Sequence, residues 1–386
     1  MKQLLIFTNY FPPEMGAASN RIHHLAEGLK DEYEVSVVTP LPNYPTGKIF
    51  EGYKGKWRYT STEDEVTVNR LWVYASNSKN KFKRLLAMLS YSFSICWFIL
   101  TRKVPNKVIV QSPPLLVAFT CMLFLKSKKR KLVLNVSDLW PLAGLELNAL
   151  KKGFGYSVLE KIERFNYKRS DLILGQSEEI LSHVKTIVPN TSTFLYRNFP
   201  DFEPPELASR DKSNTGKIKM VYAGLLGIAQ GVLKLCKALD YSNVEFHIYG
   251  SGAEAELILE YISNNPNLLI YYHGSLKREE LHKALLQYDL TIIPLVNRIY
   301  GSVPSKVFEY ARLGLPMLYF GGGEGESIVL QNDLGWVVTS GDYEALNTCL
   351  GKLKISELDI MRNAIQTTAL KAFNFKSQIT ALKRKL

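Results

Sequence analysis

Short apolar runs separated by amphipathic stretches recur along the chain. In the first half, Gln3–Thr8, Glu34–Thr39, Val66–Tyr74, Val108–Gln111, Lys131–Val136, Leu172–Gly175 and Thr193–Tyr196 read as strands. Between them, stretches such as Asn20–Lys30 and Tyr156–Arg169 place apolar residues at helical spacing. The pattern breaks at Asn198–Thr215, where Pro, Asp, Glu and Ser dominate without a period, as in a linker. It then restarts. Strands are expected at Ile218–Ala223, Val244–Tyr249, Leu268–His273, Leu290–Pro294, Pro316–Phe320 and Trp336–Val338, and helices at Gly231–Leu239, Ala253–Ser263, Lys277–Gln287 and Pro304–Leu313. From Ile355 to Leu386 the chain reads as helix with a break near Phe373–Phe375.

This alternation predicts an α/β protein of two Rossmann-like domains, each a parallel sheet covered by helices. The first is expected over residues 1–200 and the second over 201–370. Residues 371–386 are expected to form a C-terminal helix that packs back towards the first domain. A length of 386 residues suits two domains, each able to bury its own core. Ligands of open parallel sheets bind outside the carboxyl ends of the strands, so two such sheets can face a central cleft. With 46% hydrophobic and 22% charged residues, the chain is globular rather than disordered.

A net charge of +12 and a pI near 9.3 point to a polyanionic partner: nucleic acid, an anionic membrane or a phosphate-bearing substrate. The distribution favours the membrane and argues against nucleic acid. Lys79, Lys81, Lys83 and Arg84 precede the apolar run Leu85–Leu100, and Arg102 and Lys103 follow it. A second basic group is Lys126, Lys128, Lys129, Arg130 and Lys131. Solvated loops are the plain alternative. As a helix the run would rise about 24 Å, short of the roughly 30 Å hydrocarbon core. It suits docking on a membrane surface, or burial in the core, better than a span. Cys96, Cys121, Cys236 and Cys349 show no zinc spacing and read as free thiols of a reducing compartment. The chain opens on the strand-like QLLIF rather than on a signal peptide. A cytoplasmic protein held peripherally at the inner membrane face is expected.

Four segments carry candidate chemistry. In YFPPEMGAASN (Tyr10–Asn20) a rigid proline turn leads through the small residues Gly16, Ala17 and Ala18 into a helix whose free amides suit an anion; an ordinary strand–helix loop is the alternative. AGLLGIAQG (Ala223–Gly231) places Gly224, Gly227 and Gly231 after a strand, and Gly250-Ser251-Gly252 repeats the device one strand later, as a phosphate-binding crevice would. In RIYGSVPSKVFEYARLGLP, Lys306 and Glu309 fall on one face of a helix start. A lysine there opposes the helix dipole unless an anion is bound, and a carboxylate suits two ribose hydroxyls; a local Lys306–Glu309 surface pair is the alternative. In NVSDLWP, Asp138 either caps a helix or binds an acceptor hydroxyl.

Taken together, these segments resemble the family-four retaining glycosyltransferases of the GT-B fold. The resemblance runs through YFPPEMGAASNR, NVSDLWP, LEKIERFNYKRSDLILGQSE, YAGLLGIAQG, IYGSGAE, YYHGSLKREEL, YDLTIIPL and VPSKVFEYARLGLPMLYFG. It is nearest to a bacterial O-antigen and capsule subgroup typified by N-acetyl-L-fucosamine transferases. It implies a UDP-sugar donor held mainly by the second domain, at Gly224, Gly227, Gly250, Gly252, Ser275, Leu276, Ser305, Lys306 and Glu309, with Gly16 of the first domain. Lys306, Arg298, Asp138 and Glu14 are implied at the chemistry, with no cofactor and no metal. The implied acceptor is a saccharide on a polyprenyl diphosphate. The family signature is Glu, seven residues, then Glu. Glu309 matches the second, but Gly301 stands at the first. Leu225 and Gln230 stand where the family has Arg and Lys, so Arg298 and Lys306 are candidate replacements. Ser137 stands where a His often precedes the Asp. The implied mechanism is front-face displacement, in which the leaving phosphate takes the acceptor's proton.

Other readings are a nucleotide-sugar 2-epimerase of the same fold, a nicotinamide-dependent oxidoreductase and a non-catalytic scaffold for polysaccharide assembly. The epimerase has no use for a membrane-facing apolar helix, and the oxidoreductase would show G-x-G-x-x-G after a strand, which is absent. Loss of the first signature Glu is the feature that favours the scaffold.

Overall fold

Runs of β-branched and large apolar residues without alternation can be buried on both faces, which is what a parallel sheet between helices requires. The computed structural model describes residues 1–78, 80–207, 216–228 and 230–386. Its strands are β1 (Lys2–Phe7), β2 (Tyr33–Pro40), β3 (Arg58–Glu63), β4 (Val66–Leu71), β5 (Lys107–Ser112), β6 (Lys131–Val136), β7 (Leu172–Gly175), β8 (Ser192–Leu195), β9 (Ile218–Ala223), β10 (Val244–Tyr249), β11 (Ile270–Tyr272), β12 (Leu290–Pro294), β13 (Met317–Phe320) and β14 (Gly335–Val338). The chain divides into one unit of Met1–Asn198 with Phe375–Leu386, and a second of Phe199–Asn374. Part of the linker expected from the sequence, residues 208–215, lies outside the described residues, as does Lys79. The side chains of Lys81 and Arg84 are also outside the description.

The first unit has an eight-stranded sheet in the order β3-β4-β2-β1-β5-β6-β7-β8. All neighbours are parallel except β3 and β4, which form an antiparallel hairpin from Arg58↔Leu71 to Glu63↔Val66. The hairpin was not expected from the sequence. Its turn, Asp64-Glu65, takes positive φ at both residues without a glycine, and RYTSTE has no apolar face to signal a strand. Arg70, fully buried on β4, ties this edge together. Its Nη1 donates to Glu63 Oε1 at 2.7 Å and its Nη2 to the Pro12 carbonyl at 2.6 Å.

The apolar run after β4 forms helix Lys81–Thr101, capped by the Asn80 side chain. It packs beside helix Leu115–Leu125, which in turn packs beside helix Phe154–Arg169. Among the described residues no helix is long and apolar enough to cross a membrane. The last helix, Phe375–Lys383, belongs to the first unit. Ile379 seats against Gly28 of helix Ala17–Leu29, Phe375 meets His24 with ring centroids 6.0 Å apart, and Lys383 pairs with Asp31. Gln378 accepts from the Arg197 amide at 2.9 Å and donates to the Arg197 carbonyl at 3.0 Å.

In the second unit the order is β11-β10-β9-β12-β13-β14, parallel throughout. Alternate residues feed two cores. Met220, Tyr222, Phe246 and Ile292 point to one, while Val221, Ala223, Ile293 and Tyr319 point to the other.

Leu382 is fully buried. Leu382→Ala should therefore lower the stability of the first unit by about 2–5 kcal/mol, the usual cost of deleting a buried leucine side chain. Urea unfolding followed by circular dichroism reads this; an unchanged midpoint would mean that the C-terminal helix contributes nothing to this core.

Candidate functional site

In the second sheet β9 and β12 are neighbours, and the chain moves outward from them in opposite directions. The loops leaving their carboxyl ends therefore diverge and leave a crevice. The glycine segment after β9 and the lysine-bearing segment after β12 both start there. The Gly224 amide donates to the Tyr249 carbonyl, and the Leu226 amide to the Ser251 carbonyl, each at 2.9 Å. A methyl group on Gly250 would strike the Gly224 carbonyl, and one on Gly252 the Leu226 carbonyl. These glycines thus let two loops touch backbone to backbone. Gly227 lies against the Gln230 side chain, and Leu225 points into solvent.

Lys306 opens helix Lys306–Arg312. Its ammonium donates to the carbonyl of Ala223, the last residue of β9, and sits 4.5 Å from the Tyr222 ring centroid. A Cβ on Gly224 would collide with Nζ. The same Ala223 carbonyl accepts from Tyr310 Oη at 3.1 Å. Burial pushes the Lys306 ammonium down to about 8, against the opposing pull of Glu309.

Glu309 does not pair directly with Lys306. Its Oε1 accepts from His282 Nε2 at 2.7 Å and from Arg278 Nε at 3.3 Å. Burial alone would raise this carboxyl, but the His282 hydrogen bond and the nearby charges of Arg278, His282 and Lys306 outweigh it. The group is held below the usual glutamate range. Arg278 and His282 were not singled out from the sequence. Their signal was four-residue spacing on helix Arg278–Leu285, which puts both on one face.

The remaining expected donor residues are spread around this rim. Ser305 stands at the helix start without a side-chain cap. Ser275 and Leu276 are exposed between β11 and helix Arg278–Leu285. Arg298 is exposed on the loop after β12, beside Gly323 and with its guanidinium 5.7 Å from the Tyr300 ring centroid. Gly321-Gly322-Gly323 after β13 is a further glycine loop at this end of the sheet, which the sequence reading passed over.

In the first unit, Glu14 is buried and its Oε1 accepts the amides of Asn43 and Tyr44, each at 2.8 Å. Burial raises its carboxyl above the usual glutamate value despite these bonds. Gly16 precedes helix Ala17–Leu29 near the Tyr44 ring. Asp138 follows β6. Burial pushes its carboxyl up to about 6, opposed by the Ser137 hydroxyl at 3.4 Å and the Arg21 charge.

Beside Asp138 runs a closed circuit of side chains that the sequence reading did not find. Arg21 Nη2 donates to Asn135 Oδ1 at 2.8 Å, and Asn135 Nδ2 to Gln111 Oε1 at 2.6 Å. Gln111 Nε2 donates to Ser137 Oγ at 2.9 Å, and Gln176 Nε2 to the Ser137 carbonyl. Asn198 Nδ2 donates to Gln176 Oε1 at 3.0 Å, and Arg21 Nη1 to Asn198 Oδ1. Among the described residues, no group of three or more His, Cys, Asp or Glu side chains could hold a metal ion.

Two α/β units with crevices at the carboxyl ends of their strands are the framework of the GT-B fold. Residues 16–192 match the family model of the Glycosyl transferase 4-like domain, and residues 215–354 match that of Glycosyl transferases group 1. The chain therefore belongs with the glycosyltransferases of the GT-B fold. Comparison with curated protein sequences gives no significant match. Among solved structures, the chain is similar over its full length to sucrose-phosphate synthase from Thermosynechococcus elongatus, at 12% identity, a TM-score of 0.75 and 98% of that chain covered. It is also similar to Anabaena Alr3699/HepE in complex with UDP and glucose, at 12% identity and a TM-score of 0.67, covering 100% of this chain and 99% of that one. The pneumococcal O-GlcNAc transferase GtfA in complex with UDP and GlcNAc matches at 13% identity and a TM-score of 0.63, covering 100% of this chain and 98% of that one.

The Asp138 environment is directly measurable. Carboxyl carbon-13 NMR should show one aspartate titrating near pH 6, absent from Asp138→Asn. Its midpoint should rise further in Arg21→Met, because the favourable guanidinium charge is gone. A midpoint near 4 would mean that the carboxylate is solvated.

Proposed function

We propose that the second unit binds a UDP-sugar and that the protein transfers the sugar with retention, without a metal, to a saccharide carried on a polyprenyl diphosphate. The observation that carries this reading is the convergence at the carboxyl end of β9: a buried ammonium on Lys306, two glycine loops that keep bulk away, and Glu309 three residues further on. The relatives bound to UDP support the choice of nucleotide. The proposed setting is bacterial O-antigen or capsule synthesis at the anionic inner face of the cytoplasmic membrane. The proposed donor sugar is an N-acetylated deoxyhexosamine such as N-acetyl-L-fucosamine.

In the proposed reaction the acceptor hydroxyl oxygen bonds to the anomeric carbon on the face from which the phosphate leaves. The carbon–oxygen bond to UDP breaks, and the departing phosphate oxygen takes the hydroxyl proton, so no protein base is consumed. Lys306 and Arg298 stabilise the charge that grows on the diphosphate. The Ser305 amide and the backbones of Gly224, Gly227, Gly250 and Gly252 meet the donor closely, and Ser275 and Leu276 border it. Glu309 accepts the ribose hydroxyls; His282 and Arg278 act on Oε1 and keep the group ionised. In the first unit Asp138 receives the acceptor hydroxyl. Glu14 acts as a positioning residue through the Asn43–Tyr44 backbone, and Gly16 keeps that approach open.

Glu309→Ala should weaken UDP binding at least tenfold by calorimetry, the equivalent of about 1.4 kcal/mol of lost hydrogen bonding; unchanged affinity in a folded variant would remove Glu309 from the donor site. The lysine adds a pH signature. Its ammonium is charged below about 8 and neutral above it. UDP affinity should therefore fall as pH rises from 7.5 to 9.5, with proton uptake on binding visible as buffer-dependent heat. Lys306→Met should flatten that dependence. A wild-type affinity that is constant across this range would show that the lysine charge is not used.

A further inference from the structure

Helix Lys81–Thr101 is apolar on the wrong side. Tyr91, Ile95 and Phe98 face the core, as expected of a helix on a sheet. The opposite arc would ordinarily be polar. Here it carries Phe82, Leu86, Leu89, Phe93, Trp97 and Leu100, whose exposures run from 43% to 79%. These positions recur every three or four residues, so they form one straight ridge along about 30 Å of helix. The hydroxyls Ser90, Ser92 and Ser94 are each buried. Leu123 and Phe124 extend the apolar exposure onto the neighbouring helix Leu115–Leu125.

The charge of the protein is concentrated in the same segment. Residues 66–137 contain 13 of the 48 lysines and arginines and none of the 36 aspartates and glutamates. The other 35 cations and 36 anions nearly cancel, so essentially the whole net charge of +12 belongs to this segment. Lys83, Arg102, Lys103, Lys128 and Lys129 are all exposed, and they stand at the ends of the two helices while the ridge between holds no charge. An apolar strip fringed by cations matches the layering of an anionic bilayer, with acyl chains inside and phosphates above. It does not match a nucleic acid, whose phosphates would meet the uncharged strip. Nor does it match a second copy of the chain, which would bring the same cations face to face.

We propose that the ridge of helix Lys81–Thr101, continued by Leu123 and Phe124, lies flat in the interfacial layer of an anionic phospholipid membrane, with Lys83, Arg102, Lys103, Lys128 and Lys129 on the headgroups. This rests on the reading above that the acceptor is lipid-linked, and it specifies the surface that meets the lipid. The helix lies along the membrane and does not cross it. The first unit therefore approaches the bilayer side-on, along the face that its helices cover.

The experiment is flotation of the full chain with vesicles of phosphatidylcholine alone and of phosphatidylcholine with phosphatidylglycerol. The wild type should float with the anionic vesicles only, and less well as salt is raised from 0.1 to 0.5 M. The exposed double variant Phe93→Gln/Trp97→Gln should lose at least tenfold in vesicle partition, and Lys83→Gln/Lys128→Gln/Lys129→Gln several-fold. UDP binding, measured on the same preparations without lipid, should be unchanged in both variants. Flotation of Phe93→Gln/Trp97→Gln at the wild-type level would overturn the proposal. So would a wild-type dimer that this variant dissociates, or duplex DNA binding that only the lysine variant loses. If the wild type floats but fails to bind UDP, the donor reading falls and the docking surface stands.

Discussion

The carbonyl of Ala223 fixes the geometry of the second unit's site. It ends the central strand of the sheet, and two groups of helix Lys306–Arg312, Lys306 Nζ and Tyr310 Oη, converge on it. That helix is thereby held against the loop after β9, and Glu309 is carried to His282 and Arg278. The arrangement depends on missing side chains. With any Cβ at Gly224 the ammonium could not reach the carbonyl, and with one at Gly250 the two glycine loops could not touch. A cation without a carboxylate partner is costly to bury, and the low affinity of Lys306 for its proton expresses that cost. The diphosphate of the proposed donor would relieve that cost.

The first unit handles a charge differently. Arg21 is buried within a circuit of five further side chains drawn from the ends of β5 and β6 and from the segments after β6, β7 and β8. Both terminal nitrogens of Arg21 and the side-chain amides of Asn135, Gln111, Gln176 and Asn198 each meet an acceptor, so the circuit resists rearrangement as a unit. It also holds in place the Arg21 charge that acts on Asp138. Burial raises the carboxyl further than the guanidinium can lower it, so Asp138 is more readily protonated than a surface aspartate. The two units thus present opposite perturbations, a weakened ammonium in one and a weakened carboxylic acid in the other.

The strands with uninterrupted apolar runs were legible in the sequence, and β6, β7, β9, β10 and β12 match the expected bounds residue for residue. Period and composition suffice where burial is complete. The β3–β4 hairpin was not legible, because an edge strand needs no apolar face and the Asp64-Glu65 turn lacks the usual glycine. Glycine spacing and the VPSK segment marked loops that the structure has at the carboxyl ends of β9, β10 and β12. The sequence could not show that Lys306 turns to a carbonyl 83 residues earlier, or that Glu309 is served by His282 and Arg278. The Arg21 circuit has no local pattern at all, since its members come from Arg21 to Asn198 and meet only once the sheet has formed.

The return of Phe375–Lys383 to the first unit has a consequence for synthesis. The ribosome delivers residues 1–198 before the second unit, but the helix that covers Gly28 and His24 emerges only after all of residues 199–374. Until then the first unit stands open along helix Ala17–Leu29, while the whole of residues 199–374 is made and can fold on its own sheet. Completion of the N-terminal unit thus waits on translation of the C-terminal one. A message truncated anywhere before the codon of Phe375 would yield a protein whose first unit is left uncovered along helix Ala17–Leu29, which is the kind of surface that chaperones and proteases recognise.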